Sequence, residues 1–202
     1  LTEIYDGTSW SEVNNMLTAR QSMGMASGGS TTASLIFGGA PVPSTYFAQT
    51  ERWNGTSWSE VADLNSARTL LSGAGTSTAA LAMAGATGPG SHVVIAESWN
   101  GTSWTEEADL DNARSGGAGG GTSTSALYWG GNPNSPGVYT ESWNGTAWSE
   151  VANLGNKAAG GGRAGTSNTN ALAIAGYSGS GNISTMEEWA DPTYTIKTVT
   201  IS

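Results

Sequence analysis

Trp53-Asn54-Gly55-Thr56-Ser57-Trp58, WNGTSW, returns along the chain with small changes. YDGTSW stands at 5–10, WNGTSW at 99–104, WNGTAW at 143–148 and a worn WADPTY at 189–194. The closing aromatics Trp10, Trp58, Trp104, Trp148 and Tyr194 are 48, 46, 44 and 46 residues apart. A second register runs beside it. Each apolar run ends on a small residue and a glycine, at Gly38-Gly39, Ala84-Gly85, Gly130-Gly131 and Ala175-Gly176, spaced by 46, 46 and 45 residues. Self-similarity at a fixed period of this length is the mark of a repeat architecture. The 30 glycines and an apolar fraction of 37% would also fit disorder, but 9 tryptophans, eight of them in the hexapeptide, favour ordered repetition.

Each unit reads as four short strands. After Arg68 come the small-residue run LLSGAGTS, the apolar ALAMAGA, the loop TGPGSH, then VVIAESW, the turn NG and TSWTEEADL. Such short runs between turn residues are strands, and no helical period is sustained. Four strands in about 45 residues predict one blade of a β-propeller. The Gly- and Ala-rich first strand, SGGAGGGTS at 115–123, suits an innermost position close to the axis. The expected architecture is a single all-β domain over 1–202. It has units at 18–64, 65–110, 111–154 and 155–202, plus a surplus outer hairpin at 1–17. The ring has four or five blades or is part of a larger one, and a surplus hairpin points to a subunit contact through an unpaired edge.

The pattern resembles the kelch repeat: a double glycine closing the second strand (IFGG), then an aromatic and a tryptophan in the third and fourth (ERWNGTSW). An arginine precedes the first strand at Arg20, Arg68 and Arg114, whereas Asn156-Lys157-Ala158 departs from the pattern in the fourth unit. Two units also carry Ala-Gly for Gly-Gly. The resemblance implies a kelch-like β-propeller in which these arginines line the channel mouth and grip anionic ligands, or else tie blades together through backbone carbonyls. It implies no function, because propellers serve many. The Asn-Gly-Thr-Ser-Trp idiom is also similar to kelch-like arrays of bacteriophage structural and tail proteins. That likeness implies a virion, extracellular or cell-surface setting.

Three copies of the hexapeptide, and Asn182-Ile183-Ser184, match the acceptor pattern for N-linked sugar, at Asn54, Asn100, Asn144 and Asn182. The first copy carries Asp6 instead, which cannot take a glycan but serves a turn equally well. Turn chemistry, of the type I′ hairpin kind, is therefore the expected role of the motif. The paired tryptophans are expected to pack between blades rather than stack on sugars, and Trp129 to fill the core. Glu3, Glu51, Glu97, Glu141 and Glu187 recur two residues before each first aromatic, and Glu12, Glu60, Glu106 and Glu150 two after the second tryptophan. Pairing with arginine or capping a turn is the expected role. The segments that differ between units are the loops 40–47, 86–92, 132–139 and 177–182. They carry Tyr46, His92, Tyr139 and Tyr177, the candidate ligand-binding residues beside the three arginines.

A formal charge of −9 with 11% charged residues argues against nucleic acid and anionic membranes as partners. No apolar run reaches the length of a membrane span. With no cysteine and one histidine, neither a nucleophile relay nor a multi-histidine metal site can be assembled, so no catalysis, metal or cofactor is expected. The kelch oxidases' copper site and the sialidase Asp box likewise have no counterpart. The chain opens at Leu1 inside a repeat, which reads as a mature product or an excerpt. The expected function is a non-enzymatic binding or adhesion module for a protein or glycan receptor. The alternatives are a lectin with a Trp-lined site per blade and a self-assembling architectural subunit.

Overall fold

The computed structural model describes residues 1–26, 28–41, 45–132 and 137–190, and the backbone alone of 195–199. Tyr194, and loop positions 42–44 and 133–136, lie outside the described residues. Every regular element among those described is a β-strand. A lone hairpin, β1 (Thr2–Tyr5) and β2 (Trp10–Val13), precedes four sheets of four strands each. The first sheet is β3 (Gly24–Ala26), β4 (Ser34–Phe37), β5 (Thr50–Trp53) and β6 (Trp58–Val61). The second is β7 (Ser72–Gly75), β8 (Ala80–Met83), β11 (Ala96–Trp99) and β12 (Trp104–Glu106). A small hairpin, β9 (Ala86–Gly88) and β10 (Ser91–His92), is inserted in its loop. The third is β13 (Ala118–Gly121), β14 (Ala126–Trp129), β15 (Thr140–Trp143) and β16 (Trp148–Glu150). The fourth is β17 (Gly162–Ser167), β18 (Asn170–Tyr177), β19 (Asn182–Ala190) and β20 (Thr195–Val199). Each is an antiparallel meander in sequence order.

Successive sheets stand side by side, β3 next to β7, β7 next to β13 and β13 next to β17. A chain of backbone hydrogen bonds follows this order near the axis: Leu70 N–H to Ser22 O (2.8 Å), Gly116 N–H to Leu70 O (2.8 Å) and Gly160 N–H to Gly116 O (2.9 Å). Among the described residues no such bond joins Ser22 to Gly160, and no closed ring is present.

The core consists of the three seams between sheets. Phe37, Leu71, Ala80 and Trp104 fill the first, Met83, Tyr128 and Trp148 the second, and Trp129, Ala171, Ala173 and Trp189 the third. The glycines of the first strands make room for this. A Cβ on Gly73 would stand 2.7 Å from Phe37 Cζ, and one on Gly119 2.6 Å from Met83 Cε. Seven of the nine tryptophans are buried, each worth about 4–6 kcal/mol of gross transfer free energy. In a chain so poor in Leu, Ile and Phe, indoles carry the seams.

The hexapeptide joins the third and fourth strands, as expected, but by a different turn. Trp53 faces Trp58 across a four-residue loop, and only the glycine is left-handed, with φ +94° at Gly55. A type I′ turn needs both central residues at positive φ. Instead the Asn54 carboxamide oxygen accepts from the N–H groups of Thr56 and Ser57, both at 2.9 Å. Asn100 and Asn144 repeat this, and Asp6 does so from Thr8 and Ser9. An oxygen acceptor is all the turn requires, which is why Asp and Asn exchange freely here.

Candidate functional site: the loop end and the axial cavity

The chain enters each sheet through a lead-in segment held by the recurrent glutamate. Glu51 accepts from Leu17 and Thr18 N–H, Glu97 from Asn65 and Ser66, Glu141 from Asp111, and Glu187 from Gly155 and Asn156. Three of the four also hold an arginine. Arg20 meets Glu51 at 2.7 Å, Arg68 binds Glu97, and Arg114 lies 2.9 Å from Glu141. The guanidinium groups bond carbonyls as well: Arg20 to Gln49 O, Arg68 to Ala84 O and Ser66 O, Arg114 to Tyr128 O. Arg114 also lies 4.7 Å over the Tyr128 ring, whose hydroxyl burial pushes up to about 12. Burial lowers the pKa of all three arginines, with their glutamates opposing, and raises that of Glu141 against the pull of Arg114. In the fourth sheet Ala158 stands where the arginine would be. Its carbonyl accepts from Gly131 N–H as Arg68 O does from Gly39 and Arg114 O from Gly85.

In the first three sheets the second glycine of the small-Gly pair (Gly39, Gly85, Gly131) thus bonds its sheet to the next. That position sits at φ +97° (Gly39), +115° (Gly85), +98° (Gly131) and +122° (Gly176), whereas the first position sits at +54° to +66° and admits Ala84 and Ala175. That difference explains why Gly-Gly becomes Ala-Gly and never the reverse.

Just beyond this pair the variable loops begin, each from the same anchor. Ala40 pairs with Gln21, Ala86 with Thr69, Asn132 with Ser115 and Tyr177 with Ala159. The four loops therefore leave one end of the molecule at equivalent points. Tyr177 is 48% exposed, its hydroxyl donating to Gly179 O, while Tyr46 and Tyr139 are half-buried. His92 closes the small inserted hairpin and shares a hydrogen bond with Ser115 Oγ at 3.0 Å. Desolvation lowers its pKa. Tyr46, His92, Tyr139 and Tyr177 all lie at the loop end. The three arginines lie beneath it, buried in the blades and facing their glutamates. This corrects the expectation that they line a channel mouth: the paired carboxylates and carbonyls draw them inward.

An axial cavity of about 610 Å³ lies among the later residues of the four first strands and the turns that follow, at the end opposite the loops. Its walls are Gly, Ala and Thr, with Met25, and one charged side chain, Arg163. Arg163 is in register with Met25, Gly73 and Gly119, reaches past Gly119 and donates to Ser72 Oγ at 3.0 Å. Solvent reaches it through the cavity, yet the surrounding strands strip enough water to lower its pKa, with Tyr128 opposing. Sequence reasoning missed this residue. The signal was an arginine inside a run, AGGGRAGTS, whose counterparts hold only small residues at that place or Met25. Among the described residues no group of three or more His, Cys, Asp or Glu could hold a metal, and no helix is long and apolar enough to cross a membrane.

No protein-family model matches the sequence, and no curated protein matches it. Solved structures match by shape. The structure of YjhT, a kelch-like β-propeller, superposes with a TM-score of 0.77 at 11% identity, covering 95% of this chain and 72% of that one. The fold is that of a β-propeller. At that identity the likeness is one of fold alone, and no residue role crosses with it. Each four-stranded sheet has the strand order of a propeller blade, and the lone hairpin has that of a blade's outer half.

The sugar-related candidates fall on the outer side. Asn54, Asn100 and Asn144 are exposed at the hairpin tips with their oxygens engaged in the turn, and Asn182 is exposed at the start of β19. The buried tryptophans bond inward: Trp53 to Thr31 O, Trp99 to Ser77 O, Trp143 to Ser123 O and Trp189 to Asn168 O. Only Trp10, 67% exposed, offers a largely open indole. Glu12, Glu60, Glu106 and Glu150 face solvent.

Proposed function

We propose that the chain is a non-catalytic binding module that recognises a protein or glycan receptor through the loops at one end of the propeller. One observation carries the reading: four loops of different sequence spring from four equivalent backbone anchors, with the Arg–Glu pairs rigidifying the ground beneath them. A rigid scaffold bearing divergent loops is how recognition surfaces are built. The tail or surface setting rests on the likeness of the Asn-Gly-Thr-Ser-Trp idiom to phage arrays. A glycan array and a displayed-peptide library supply the probes. Binders selected by the intact chain should be lost when 87–92 and 178–181 are replaced by Gly and Ser of equal length, with thermal stability unchanged. Binders indifferent to both replacements would sink the loop reading.

A second reading follows from Arg163. A cationic side chain without a carboxylate partner among the described residues, in a cavity of small neutral residues, suits a small anionic ligand. Titration with citrate and inorganic phosphate, compared with Arg163→Gln, separates it from the loop reading. Binding equal in both proteins would remove Arg163 from any site.

A further inference from the structure

The hairpin β1–β2 carries the fittings of a blade's outer half, with no inner half among the described residues. Its Asp6 turn and its Tyr5–Trp10 ring pair at 5.3 Å copy the Trp53–Trp58 and Trp99–Trp104 pairs at 5.4 Å. Thr2 N–H bonds Asn15 as Thr140 N–H bonds Asn153, both at 2.9 Å. The hairpin also docks on the first blade as a true neighbour does. Trp58 Nε1 donates to Thr2 Oγ1 at 3.2 Å, the counterpart of Trp104 to Thr50 at 3.0 Å. Positions that are covered elsewhere are bare here. Tyr5 is 47% exposed where Trp53, Trp99 and Trp143 are 4% or less, and Glu3 is exposed where Glu51, Glu97 and Glu141 are buried. Met25, in register with Gly73 and Gly119, which face back toward the preceding blade, is 47% exposed.

We infer that β1 is a docking edge for an added β-hairpin with the chemistry of this chain's own inner strand pairs. That chemistry is an arginine in the lead-in, a Gly/Ala first strand, and an apolar second strand ending in a small residue and glycine. The first-blade seam extends into the vacant position without a break, so the register of the partner follows. Its second strand pairs with β1, its arginine reaches Glu3, and its lead-in carbonyl takes Ser22 N–H, extending the bonded chain Ser22–Leu70–Gly116–Gly160. Because Met25 replaces a glycine, the partner residue that faces it, at the place of Phe37 or Met83, is small. A second copy does not supply this hairpin: each described inner pair is bonded to its own third strand, and lending one would dismantle a blade. Strand addition to an open edge is an established mode of recognition, with backbone bonds giving affinity and side-chain pockets giving register.

The inference is independent of the loop reading, which concerns other residues. Its probe is a synthetic peptide of residues 65–86 carrying Met83→Ala, labelled and titrated into the whole chain by fluorescence anisotropy. Saturable binding is expected. Arg68→Met in the peptide should weaken it roughly tenfold or more, and that loss should vanish in Glu3→Met protein, because a direct ion pair couples the two changes. Glu3 is exposed, so the variant keeps its fold. No binding, or equal loss with Glu3 present and absent, would overturn the inference. So would a stable dimer of the chain alone that excludes the peptide, since the edge would then belong to a second copy.

Discussion

Trp148 shows how closely single residues are matched to their place. Its Nε1 is buried without a hydrogen-bond partner, whereas Trp58 and Trp104 donate to Thr2 and Thr50. Ala96 begins the third strand of its blade where Thr2 and Thr50 begin theirs, and it lies in the same seam as Trp148. Ala96→Thr should therefore stabilise the chain by about 0.5–1.5 kcal/mol, read from urea denaturation. Ala96→Val, equally bulky but without the hydroxyl, should not. Gly85 illustrates the opposite sensitivity. At φ +115°, with Thr69 O 2.9 Å from any added Cβ, Gly85→Ala should cost at least about 1–3 kcal/mol in backbone strain. Ala84→Gly next door should stay within about 1 kcal/mol of wild type, since relief at φ +55° and glycine's extra chain entropy offset each other. The Gly-Gly to Ala-Gly exchange was visible in the sequence. The reason the second position is the fixed one required the dihedral angles.

The lead-in turn is the element on which the blades depend. In the second blade Glu97 holds two backbone N–H groups and the buried Arg68; in the fourth, Glu187 holds backbone and Asn156 side-chain donors with Ala158 in the arginine's place. Removing the carboxylate should expose that difference. Glu97→Gln leaves a buried guanidinium uncompensated and should cost about 3–5 kcal/mol. Glu187→Gln strands no arginine among the described residues and should cost about 1–2 kcal/mol. Equal losses by chemical denaturation would mean that the arginines contribute nothing to the turn. The repeating glutamates and arginines were legible as a once-per-unit pair. Their inward direction was not, because spacing along a chain does not say which way a side chain turns at a loop.

At the level of the propeller, the open arrangement predicts a gradient of stability. The second and third blades are covered on both faces. The first is flanked by half a blade, and Ile174 of the fourth is 37% exposed where Phe37 and Met83 are fully buried. Stability in such stacked units is close to a sum of nearest-neighbour seams. Amides of β8, β11, β14 and β15 should therefore exchange slowest, and those of β1, β2, β17 and β18 fastest, in native-state hydrogen exchange followed by mass spectrometry. Uniform protection would mean that the ring closes in solution.

Strand order, the four-unit period and the scaffolding role of WNGTSW followed from residue patterns alone. Turns, strand periodicity and small-residue runs are local chemistry, and repetition multiplies the signal. What the chain order could not convey was anything that depends on residues from different units meeting. The orphaned Trp148 Nε1, the reach of Arg163 across the axial cavity to Ser72 and the bare edge of β1 all arise between blades. There, side chains 40 to 90 positions apart come into contact, and their partners are set by how the sheets stack around the axis.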